Sequence, residues 1–294
     1  MKTKKIISIL LGLALTLSLM FSAGCNNESA ETTSDAADKK LIVAVTIVPE
    51  QTFVEAVCGD FAEVITMIPP GNSPENYEPT PEQMENFSDA SLYFSIGVPA
   101  EEANILPIVG DVKVVSLQEE VASVYADRTF DSGERDPHIW LSPKRVKVMI
   151  DAIAREMGKI DPTNENIYKE NAEAYNEQLD SLDKQIKSAL NGVQSKNFIV
   201  YHPAFGYLAN DYGLTMYALE DEGKEATPQH LQDMIDLAKQ ENIKVIFYQD
   251  EIDSSQSEAF AEEIGGKTQQ LAPLAANYIE NLKSMAETMA EVMQ

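Results

Sequence analysis

His138 and His202 are two of only three histidines in a chain of 294 residues, and each lies against a proline: Pro137 precedes the first and Pro203 follows the second. Proline fixes its own φ angle and restricts its neighbour, so both imidazoles sit on stiffened backbone. A stiffened histidine serves either as a structural hydrogen-bond partner or as a metal ligand. The groups at the ends of other apolar runs bear on the choice. Glu75 lies midway in "PPGNSPENYEPTP", after the run "AEVITMI". His138 opens a short apolar run that ends at Ser142, and His202 follows "NFIVY". Gln249, Asp250 and Glu251 follow "IKVIFY". Two imidazoles with carboxylate oxygens suit Zn²⁺, Mn²⁺ or Fe²⁺. These residues are scattered along the chain, so no local spacing motif adds to that reading. The third histidine, His230, falls in the first turn of a predicted helix and reads as surface. Trp140 reads as the core anchor of the His138 loop; Tyr77 and Tyr201 fit the core as well as they fit the neighbourhood of a site.

Apolar, β-rich runs recur along the chain: "LIVAVTIV", "AEVITMI", "SLYFSIGV", "VKVVSL", "NFIVYH", "LTMYAL" and "IKVIFYQ". Amphipathic stretches of helical period separate most of them, which predicts parallel sheets with helices on their faces. Thr80-Pro81, Ser142-Pro143 and Thr227-Pro228 each place a capping hydroxyl before a proline, the pattern of a helix start. From Asn164 to about Asn191 there is neither proline nor glycine, and Tyr168, Ala172, Tyr175, Leu179, Leu182, Ile186 and Leu190 recur at steps of three or four. That is one apolar face of a long helix. The expected fold is therefore α/β, with two βα lobes of parallel sheet joined by a long rigid helix. Open sheets of this kind bind ligands beyond the carboxyl ends of their strands, and with two lobes those ends can face one cleft.

The N-terminus carries Lys2, Lys4 and Lys5, an apolar run from Ile6 to Phe21, then Ser22, Ala23, Gly24 and Cys25. This order reads as an export signal. The small residues before Cys25 resemble a bacterial lipobox with Ser22 in the usual leucine place, which would leave Cys25 as the lipidated first residue. Asn26 to Lys39 is polar and small, a composition that cannot bury a core. The expected organisation is a signal at 1–24, a lipidated tether at 25–39, an N-terminal lobe at 40–162, a linking helix at 163–194 and a C-terminal lobe at 195–294. Cys58, just before the helix stop expected at Gly59, has no partner once Cys25 carries lipid and reads as a small buried residue. The formal net charge of -26 repels nucleic acid and anionic membranes and attracts cations weakly.

Four ordered segments, "IPPGNSPENYEPTP", "DPHIWLSP", "YHPAFGYLANDYGL" and "KVIFYQDEIDSSQSEAFAEEIGG", resemble those of the zinc/manganese solute-binding lipoproteins of ABC transporters, from about residue 41 to the C-terminus. The resemblance implies two α/β lobes bridged by a rigid helix, one Zn or Mn ion carried in the cleft, and delivery to an ABC permease in the membrane by a monomer anchored outside the cytoplasm. It aligns His138 and His202 with the family's two middle histidines. Where the family usually has its first histidine this chain has Glu75. Where it usually has a glutamate after the strand stands Gln249, with Glu251 two residues on. The family's late aspartate is replaced by Ala272. The His-rich loop of many zinc members is absent; "SVYADRTFDSGER" precedes His138 instead. Glu251 is expected to face the metal and Asp250 to point away, if the strand continues through them. Two other readings compete: an extracellular metal-dependent hydrolase with Glu251 as its base, and a surface adhesin on the same fold. No HExxH motif occurs, and the four segments match a transport family rather than a hydrolase.

Overall fold

The N-terminal lobe alternates strand and helix: β1 (Leu41–Val45), α1 (Val48–Cys58), β2 (Ala62–Thr66), α2 (Pro81–Ser88), β3 (Leu92–Ser95), α3 (Pro99–Asn104), β4 (Val114–Ser116) and α4 (Leu117–Ala122). All pairings are parallel, in the order β2-β1-β3-β4. The computed structural model describes residues 40–220, 226–252 and 255–294. The expected signal, Cys25 and the tether lie outside the described residues. Among the described residues no helix is long and apolar enough to cross a membrane. Cys58 is free and buried at the end of α1, and Gly59 stops that helix with a φ of 53°.

Two long helices follow, α5 (Pro143–Ile160) and α6 (Glu165–Asn191). The C-terminal lobe then runs β5 (Asn197–Val200), α7 (Gly206–Tyr212), β6 (Thr215–Ala218), α8 (Pro228–Gln240), β7 (Val245–Tyr248), α9 (Ser255–Glu263), β8 (Lys267–Gln270) and α10 (Tyr278–Val292). Its sheet is also parallel, ordered β6-β5-β7-β8. The apolar runs predict seven of the eight strands. The eighth, "KTQQ", carries no apolar run; it is an edge strand, paired on one side only and half-exposed. Such a strand has no call for an apolar face on both sides.

α6 buries the seven apolar residues expected of it, from Tyr168 to Leu190. It packs on α1 and α5 from one lobe and on α10 from the other. One continuous core therefore runs from Val43 through Leu182 to Met293, with a smaller cluster on the outer face of each sheet. Polar contacts tie the lobes as well. The Trp140 indole donates to the Pro273 carbonyl at 3.0 Å, and the Tyr278 hydroxyl donates to the Trp140 carbonyl at 2.6 Å. Arg145 and Asp211, with side chains 6% and 5% exposed, pair at 3.0 Å, and the Arg145 guanidinium stacks 4.3 Å from the Tyr207 ring centre.

Two of the three expected helix caps form. Thr80 accepts from the Gln83 amide and Thr227 from the His230 amide. Ser142 does not cap α5. Its hydroxyl donates to Asp211 at 2.5 Å and accepts from Arg145 at 3.0 Å. A buried carboxylate is a stronger acceptor than solvent, so the hydroxyl turns across to α7.

Candidate metal centre

Glu75, His138 and His202 converge: one donor atom from each lies within 4.8 Å of the others. The Nε2 atoms of the two histidines are 3.2 Å apart, and the Glu75 carboxylate is 3.4 Å from the His202 Nε2. Both imidazoles are buried, at 4% exposure each.

Each donor has its own support. Glu75 sits in the loop after β2, which is tied to α3 by the Ala100 amide donating to Pro74 and by the Asn104 side chain donating to Tyr77. His202 lies two residues beyond β5, whose ladder continues through Tyr201 to Phe247. His138 does not sit at a strand end, as the sequence suggested. It begins a short 3-10 turn, Ile139–Leu141, leading into α5. Its loop is held by Trp140, 2% exposed, whose ring centre is 5.1 Å from the imidazole.

Two carboxylates that sequence reasoning left unassigned stand behind the histidines. Asp136 accepts from His138 Nδ1 at 2.8 Å, and Glu220 accepts from His202 Nδ1 at 2.7 Å. A carboxylate on one ring nitrogen fixes the tautomer and leaves the other for a ligand. Both signals were present: Asp136 opens "DPHIWLSP", and Glu220 follows the run "LTMYAL".

The fourth side departs from extended geometry. β7 stops at Tyr248, and residues 250–251 form a turn, with the Ile252 amide 3.4 Å from the Gln249 carbonyl. The alternation that placed Glu251 on the metal side therefore does not apply. Even so, Gln249 and Glu251 line a cavity of about 10 Å³ together with Glu75, His138 and His202, while Asp250 is exposed. Glu251 is not part of the tight cluster of three. Gln249 Nε2 and Glu251 Oε2 are buried without a hydrogen-bond partner. Each such atom costs roughly 1–3 kcal/mol, a cost that a cation would offset at the Glu251 oxygen. The Gln249 amide can equally present its oxygen, since N and O are interchangeable by a flip. A wider opening of about 570 Å³, lined in part by Glu102, Phe130, Glu134 and Arg135, abuts the same three donors.

Burial lowers the proton affinity of His202, but hydrogen bonds to Glu220 and Glu75 outweigh it and push the imidazole up to about 9. Burial raises Glu75, and the two histidines overcome that and hold it below the usual carboxylate range. Burial raises Glu251. His230 is not part of this group. It is half-buried, with Nε2 donating to the Ala218 carbonyl at 2.9 Å.

Two parallel α/β lobes, a shared backbone helix and a buried histidine–carboxylate cluster between them define a bilobal metal-binding protein. The chain belongs to the family of zinc-uptake complex component A, periplasmic (ZnuA), whose profile matches residues 43–292. It is 31% identical to the high-affinity zinc uptake system protein ZnuA of Bacillus subtilis, over 86% of this chain and 84% of that one. It is 29% identical to the zinc-binding lipoprotein AdcA of Streptococcus pneumoniae, over 97% of this chain but 61% of the longer relative. A crystal structure of ZnuA superposes with a TM-score of 0.82 at 34% identity, covering 87% of this chain and all of that one. The protein is thus an extracytoplasmic metal-binding component of transport, not an enzyme.

Proposed function

We propose that the protein captures one Zn²⁺ or Mn²⁺ ion outside the cytoplasm and delivers it to an ABC permease. The observation that carries this reading is the convergence of Glu75, His138 and His202 within 4.8 Å in a buried pocket. Glu75 and the Nε2 atoms of the two histidines bind the ion, and Gln249 or Glu251 supplies a further oxygen from the fourth side. The N-terminal lobe, 40–162, brings Glu75 and His138, and the C-terminal lobe, 195–294, brings the rest across the helix at 163–194. Cys25 carries the lipid anchor, as the lipobox-like sequence before it supports and as the lipoprotein AdcA parallels. The protein acts as a monomer. Zinc is the metal that both curated relatives are named for.

His138→Ala and His202→Ala test the site. Each should abolish tight Zn²⁺ binding in a competition titration against a chromophoric chelator, while circular dichroism shows the fold retained. Near-normal affinity in either variant would remove the proposed site.

A further inference from the structure

Glu220 lies outside the group that would touch a metal, yet it is well placed to set the charge there. β6 ends at Ala218, but its ladder with β5 runs on: the Leu219 amide donates to Val200 at 3.0 Å and the Glu220 amide to Tyr201 at 2.9 Å. These bonds hold the Glu220 backbone alongside His202. Its side chain, 10% exposed, accepts from His202 Nδ1 at 2.7 Å.

Asp136 does the same for His138, but the two carboxylates are not equivalent. Asp136 also accepts the His138 backbone amide at 3.0 Å and pairs with the Arg128 guanidinium at 3.3 Å. Its charge is already balanced. Among the described residues no lysine or arginine pairs with Glu220, and its side-chain partner is His202.

The charge balance follows. A divalent ion held by two neutral imidazoles and Glu75 leaves one positive charge in a buried pocket. Burying a net charge is costly. A carboxylate bonded to the far nitrogen of a ligating imidazole makes that imidazole a stronger donor and moves negative charge toward the metal. We infer that Glu220 is the charge-balancing and positioning residue of this site, supplying through His202 the second negative charge that a divalent ion requires. The ion is then held by one directly coordinating carboxylate, Glu75, and the donor on the fourth side need not be charged. This rests on the proposed metal site.

The test compares Glu220→Gln, Glu220→Ala and Glu251→Gln in the mature protein, by Zn²⁺ competition titration across the pH range, compared as affinities of the unprotonated site, and by the visible spectrum of bound Co²⁺. Glutamine keeps an acceptor for Nδ1 and removes the charge. Glu220→Gln should weaken Zn²⁺ binding about tenfold or more and shift the Co²⁺ bands, with circular dichroism showing the metal-free fold retained. Glu220→Ala should lose at least as much, and Glu251→Gln should lose less than Glu220→Gln. Wild-type affinity in Glu220→Gln would overturn the inference, because an orienting role alone survives that change. So would a larger loss in Glu251→Gln. Failure of the wild-type protein itself to bind Zn²⁺ or Co²⁺ would instead remove the metal site, and the inference with it.

Discussion

At the scale of residues, His202 holds the proton that a metal must displace. Its hydrogen bonds to Glu220 and Glu75 overcome burial and set its protonation at about 9. A protonated imidazole offers no lone pair, so at pH 7 binding must expel a proton. The sign follows: apparent Zn²⁺ affinity should rise about tenfold per pH unit from 7 toward 9 and then level off. Calorimetry at pH 7 in buffers of different ionisation enthalpy should report close to one proton released per ion. Affinity that is flat from pH 7 to 9 would show that His202 is already neutral. The metal-free protein should behave in the opposite sense. A histidine raised on folding stabilises most below its unfolded value of about 6.5, and that contribution fades as pH rises through about 9. The three residues that converge, Glu75, His138 and His202, stood out in the sequence because prolines flank both histidines and because Glu75 and His202 follow strands. The supporting carboxylates were not singled out, because what identifies Glu220 is a bond to His202, made across a strand pairing that only the fold reveals.

At the scale of elements, the start of α7 decides how well His138 is held. Gly206 opens that helix against the Arg128–Asp136 pair, and a Cβ there would lie 2.7 Å from Asp136 Oδ2 and from the Arg128 guanidinium. The arginine end can swing away. Asp136 is fully buried and bonded to both His138 nitrogens, backbone and Nδ1, so it cannot move alone. Gly206→Ala should therefore cost about 1–3 kcal/mol of stability, as overpacking does, and weaken Zn²⁺ binding about tenfold through His138. Thermal melting and competition titration check the two effects; loss of stability with unchanged affinity would show that Asp136 does not position the imidazole. The sequence made the existence of α6 and seven strands plain, because apolar period is a local property, and it marked the start of α5 by Ser142-Pro143. It misassigned Ser142, whose partner Asp211 lies 69 residues away. It also extended β7 through Glu251, because alternation cannot reveal where a strand gives way to a turn.

At the scale of the whole described unit, the question is whether the lobes move when metal binds. A hinge opening would have to part Trp140 from Pro273, Tyr278 from the Trp140 carbonyl, and Asp211 from Arg145 and Ser142. A hydrogen bond exchanged for water costs roughly 0.5–1.5 kcal/mol, and one to a charged group roughly 1.5–3 kcal/mol. The two neutral bonds and the two to Asp211 together come to roughly 4–9 kcal/mol, a large part of the about 5–15 kcal/mol that holds an ordinary domain together. It would also split a core that α6 shares between both lobes. An open state of that kind is too sparsely populated to be the route of entry. Motion is instead expected in the two segments that take no part in these ties, the loop carrying Glu75 and the turn at residues 249–252. X-ray scattering of the metal-free and loaded protein should nearly superpose. Hydrogen exchange should slow on loading in residues 72–77 and 249–252, with α6 unchanged. A clear decrease in radius of gyration on loading, or protection gained along α6, would show that the lobes hinge and that these cross-lobe bonds form only in the closed state.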